Sequence, residues 1–143
     1  MFDKEKILSK IKELVKTFNE LDDVLNFLSK FITNPGTSYS YAPETSGNFF
    51  KILSMYFNDP NTSIDRKLEL TKKLMEIEYL LLEFKHRIKF EIEETVRKYI
   101  EYCNSKYQDE TMKEACRKDL EYIVKTRIGV VSEEIQHLIK NTH

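Results

Sequence analysis

An all-α fold follows from three features of this 143-residue chain. Residues 64 to 107 contain neither glycine nor proline and are dominated by strong helix formers. Apolar residues recur at steps of three and four along most of the chain, the period of a single buried helix face. Three Gly, three Pro and no Trp stand beside 33% charged and 41% hydrophobic residues, the balance of a charged helical protein rather than a sheet protein. Together these features predict one domain over residues 1–143: a bundle of five or six helices around one long central helix. A coiled-coil-like N-terminal helix is expected to lie antiparallel to part of that central helix.

In the N-terminal helix, Asp3 is placed to cap the first turn. Ile7, Ile11, Leu14, Phe18, Leu21, Leu25, Leu28 and Ile32 then alternate steps of four and three, the coiled-coil period. Leu8, Val15, Val24, Phe27 and Phe31 widen this seam into a face broad enough for two neighbours. Asp22 and Asp23 interrupt its flank and are a candidate start for a separate helix.

Residues 33–47, TNPGTSYSYAPETSG, read as a Ser/Thr/Tyr-rich loop opened by the Asn34-Pro35-Gly36 turn signal. Its length is that of a functional or mobile connection, and Tyr39 and Tyr41 are its side chains with binding capacity. A short helix over residues 48–57 carries Phe49, Phe50, Ile52, Leu53, Met55, Tyr56 and Phe57. Being apolar nearly all round, it belongs either in the core or in an interface. Asn58-Asp59-Pro60-Asn61 ends it, and Ser63 or Asp65 opens the central helix.

The central helix has a regular seam of Leu70, Leu74, Ile77, Leu81, Phe84 and Ile88, followed by two steps of four through Ile92, Val96, Tyr99 and Cys103. This stutter marks a local change of winding. A straight helix of this length would span roughly 66 Å at about 1.5 Å per residue. The molecule is therefore either a rod or bent, with residues 87–94 as the candidate bend. Asp109 is positioned to start the next helix, whose seam is Met112, Cys116, Leu120, Ile123 and Val124, and Gly129 to stop it. Ser132 caps a last helix with Glu133 and Glu134 in its first turn and Ile135, Leu138 and Ile139 on its apolar side.

Net charge is −1, so bulk charge points to neither a nucleic-acid nor a membrane partner. The chain has no apolar run long enough to span a bilayer, and its charged N-terminus does not read as a signal peptide, so a cytoplasmic protein is expected. Cys103 and Cys116 lack a CxxC spacing and a nearby histidine, which reads as two buried thiols rather than a disulfide or zinc site.

The chain carries no nucleophile–base motif and no phosphate-binding, metalloprotease or calcium-loop motif. Glu83 and His86, and again Glu134 and His137, have the i, i+3 spacing used by di-iron bundles. Both pairs fall beside the apolar lines rather than on them, so neither metal nor other cofactor is expected, and no small-molecule substrate is inferred. These observations predict a non-enzymatic protein-protein interaction or assembly protein, a homo-oligomer or a small subunit of a larger complex. Its expected interface residues are Leu21, Leu25, Leu28, Phe49, Phe50 and Tyr56. The alternative is an RNA or single-stranded DNA backbone-binding subunit. In that reading Lys85, Arg87, Lys89, Arg97 and Lys98 follow phosphates while Tyr39 or Tyr41 stacks on a base.

Overall fold

The computed structural model describes residues 3–35, 42–128 and 131–141, with Thr45 described by its backbone alone. Five α-helices account for most of them: α1 (Lys4–Thr33), α2 (Gly47–Asn58), α3 (Ile64–Lys106), α4 (Glu110–Ile123) and α5 (Glu133–Asn141). A 3-10 turn, Glu44–Ser46, leads into α2, and a π-helical segment, Val124–Ile128, continues from α4. The all-α bundle around a long helix is therefore the architecture of this chain.

Helix starts follow from capping chemistry. The Asp3, Ser63 and Ser132 side chains accept from the backbone N–H of Lys6, Arg66 and Ile135, at 3.1, 3.3 and 3.3 Å. Asp109 does the same for Thr111 at 2.9 Å. Each satisfies a donor that the first helical turn would otherwise leave without a partner. Between α2 and α3, the Asp59 carboxylate accepts from Asn61 N–H at 2.9 Å, an Asx-type turn.

One sequence expectation is corrected along the long helices. α1 runs unbroken through Asp22 and Asp23, so no separate helix begins there. α3 is likewise helical without interruption through residues 87–94.

The chain divides into two compact units, one formed by residues 1–19 and 86–143 and the other by residues 20–85. In the first, Leu8, Ile11, Val15 and Phe18 of α1 are buried, as are Ile92, Val96, Tyr99 and Cys103 of α3. Burial of Ile88, Ile92 and Val96, two successive steps of four, matches the stutter read from the sequence. Leu120 and Ile123 of α4 and Ile135 and Ile139 of α5 complete the buried set of these helices. Cys103 and Cys116 are joined in a disulfide with Cα atoms 5.7 Å apart, which corrects the expectation of two free thiols. The bond ties the end of α3 to α4, so the side chain at Cys103 is both buried and cross-linked.

The second unit has a compact aromatic core. Phe27, Leu28 and Phe31 of α1 cluster with Phe50, Leu53 and Phe57 of α2 and Leu74 of α3. Phe50 is the hub, with ring centroids 4.5 Å from Phe27 and 5.7 Å from Phe31. Phe57 meets Phe31 edge to face at 5.6 Å, a favourable quadrupole geometry. α1 and α3 run antiparallel here, since Asp22 pairs with Lys85 while residues 27–31 cluster with Leu70 and Leu74.

Candidate interaction surface

The second unit buries one side of its helices and leaves another uncovered. Among the described residues, eleven of the fourteen exposed large apolar side chains belong to residues 20–85. Such a concentration, on a chain with 33% charged residues available to cover surface, is the mark of a contact surface rather than of scattered surface apolar residues.

On α3 these side chains form two stripes. Ile77, Leu80 and Phe84 border the line of buried Leu74 and half-buried Leu81 and are 41%, 62% and 45% exposed. Ile77 and Phe84 had been expected inside the seam, and this is a correction. Their spacing places them on the correct flank, but α1 and α2 cover only the line through Leu74. The second stripe is Leu68, Met75, Tyr79 and Leu82, each also well exposed. At about 100° per residue it lies well around the helix from the buried line. Phe49, Ile52 and Met55 add exposed apolar surface on α2.

The expected interface residues separate accordingly. Leu25, Leu28 and Phe50 are buried, Leu28 and Phe50 in the aromatic core. Leu21 and Tyr56 are half-buried, and Phe49 is exposed. Of the residues that widen the α1 seam, Leu8, Val15, Phe27 and Phe31 are buried and Val24 is half-buried, while Ile7, Leu14, Leu21 and Ile32 of the seam itself are half-buried. Sequence reasoning assigned the free stripe of α3 no role, although Leu68, Met75 and Leu82 recur every seven residues and could have been found by that spacing.

The basic residues considered for nucleic acid are largely engaged by carboxylates. Lys85 pairs with Asp22 at 2.7 Å, and Lys89 with Glu134 at 2.7 Å. Arg97 is held at 2.6 Å by both Glu93 and Glu94. Arg87 and Lys98 are exposed, and Tyr39 and Tyr41 lie outside the described residues. Further along, Lys113 pairs with Glu110 at 3.2 Å, Arg117 with Glu114 at 2.9 Å and Arg127 with Glu5 at 3.7 Å. Among the described residues these pairs mix the two signs of charge, whereas a phosphate backbone is tracked by a stripe of positive charge.

Of the two ExxH pairs, Glu134 is occupied by Lys89, and the His137 ring lies 3.0 Å from the Asn141 amide. Among the described residues no three His, Cys, Asp or Glu side chains converge as metal ligands would. In the first unit an open groove of about 1000 Å³ runs beside Ile7, Lys10, Lys98 and Tyr102. Its walls mix Lys6 and Lys10 with Asp3, Glu13 and Glu101, without a nucleophile paired to a base. Among the described residues no helix is long and apolar enough to cross a membrane. The chain matches no family model, no curated protein and no solved structure.

Proposed function

We propose that this is a non-enzymatic assembly protein whose function is to present an apolar helical surface to another protein chain. The observation that carries this reading is the pair of exposed apolar stripes on α3 between residues 68 and 84. Left in water, side chains of this size forgo roughly 25 cal/mol for each Å² that a partner would cover. Charged residues flank both stripes, as at the rim of a specific contact.

The test is the native mass of the protein isolated from its own cells, by light scattering behind gel filtration, with co-purifying proteins identified. A particle well above the 17.1 kDa of one chain is expected. A particle of one chain's mass at cellular concentration, with nothing bound to it, overturns the proposal.

A further inference from the structure

Resting on that assembly reading, we infer that the partner for the outer α3 stripe is a second copy of this chain. The two α3 helices pair antiparallel about a two-fold axis at Met75. The stripe is self-complementary about that residue. Leu68 and Leu82 lie seven positions either side of Met75, so an antiparallel mate sets each leucine level with the other. All three side chains are exposed, at 57%, 53% and 40%. A contact in which one patch meets itself through a two-fold is the isologous geometry of most homodimers.

Charge selects the direction. The first half of the stripe carries Arg66, Lys67, Lys72 and Lys73 against Asp65 and Glu69, and is net basic. The second half carries Glu76, Glu78 and Glu83 against Lys85, and is net acidic. Antiparallel pairing sets the net-basic half of one copy beside the net-acidic half of the other. Parallel pairing would set basic against basic and acidic against acidic, which like-charge repulsion disfavours. Four apolar side chains per copy make a modest contact, so the dimer is reversible and concentration-dependent.

Site-directed cross-linking of the full chain reads the geometry directly. The native cysteines are already paired, so an introduced cysteine is a unique free thiol. With a short bis-maleimide, Met75→Cys is expected to give a covalent dimer. Leu68→Cys mixed with Leu82→Cys should cross-link to each other, and neither should cross-link to itself. Self-linking of Leu68→Cys would show a parallel pair and overturn the inference, as would absence of any product from all three. If that absence coincides with a hetero-complex in the native-mass measurement, the assembly reading stands while the homodimer fails. Met75→Asp places two like charges at the axis and should weaken dimerisation about tenfold or more in sedimentation, with unchanged helical circular dichroism. An unchanged monomer–dimer equilibrium in a folded Met75→Asp protein also overturns the inference.

Discussion

The Lys85 ammonium donates a 2.7 Å hydrogen bond to the Asp22 carboxylate, joining α3 to α1 across 63 residues of sequence. Lys85 is 19% and Asp22 36% exposed at the side chain, so the pair is partly shielded from water. A charge on the flank of the α1 seam is thereby reconciled with a packed helix. Asp22→Asn and Lys85→Gln should each destabilise residues 20–85 by about 1 kcal/mol. A double-mutant cycle in urea should return a positive coupling on the order of 0.5–1 kcal/mol. Additive effects would mean the pair contributes no interaction of its own.

Phe50 and Phe49 are neighbours in sequence with ring centroids 5.3 Å apart, yet their environments are opposite. Phe50 is 1% exposed and touches two aromatic rings of α1, whereas Phe49 is 47% exposed. Phe50→Ala should cost about 3–5 kcal/mol through lost burial and the cavity left behind. Phe49→Ala should cost under about 1 kcal/mol. Chemical unfolding followed by far-ultraviolet circular dichroism distinguishes these outcomes, and comparable losses would contradict the assigned core.

What could be read from the sequence was mostly local. The caps at Asp3, Ser63, Asp109 and Ser132 lie within three residues of the donors they satisfy, so composition and position suffice to find them. The buried run from Ile92 to Cys103 follows from helical spacing alone. Spacing reports which residues share a face and leaves open whether a neighbour covers it, which is why Ile77 and Phe84 were expected inside and are exposed. Asp22 read as an interruption because its partner, Lys85, lies outside any local window. Likewise, a separation of 13 residues between Cys103 and Cys116 does not reveal that α4 returns alongside α3. The stripe through Met75 was visible as a seven-residue repeat, but its meaning depends on the absence of cover over it.

The Cys103–Cys116 bond closes a short loop between two helices. Constraint of the unfolded chain by a loop of this size is worth roughly 3 kcal/mol. Reductant should lower the urea midpoint of the native protein, while leaving that of Cys103→Ala/Cys116→Ala unchanged. Thiol titration in denaturant should find no free thiol before reduction and two per chain afterwards. Two free thiols in the unreduced protein would refute the cross-link.

Tyr99, buried on α3, shares hydrogen bonding with Lys4 of α1, and Lys4 pairs with Asp119 of α4 at 3.3 Å. Burial, with Lys4 opposing and Asp119 reinforcing, pushes the Tyr99 phenol above its ordinary value of 10.0. For Lys4, burial pulls the ammonium down, but the Asp119 hydrogen bond and the neighbouring Tyr99 and Asp119 charges outweigh it and raise it above 10.5. In both cases the folded state holds its proton more tightly than the unfolded state. Their contribution is therefore complete below about pH 10 and is lost as the pH climbs through the raised values. Tyr99→Phe gives up the hydrogen bond near neutrality but has no phenol to ionise. The stability gap between the native protein and this variant should be largest at pH 7–9, and should shrink or reverse above pH 10. Thermal unfolding of the two proteins in parallel between pH 7 and 11.5 makes the comparison, cancelling the other tyrosines and lysines. A gap constant across that range would show that Tyr99 titrates alike in the folded and unfolded chains.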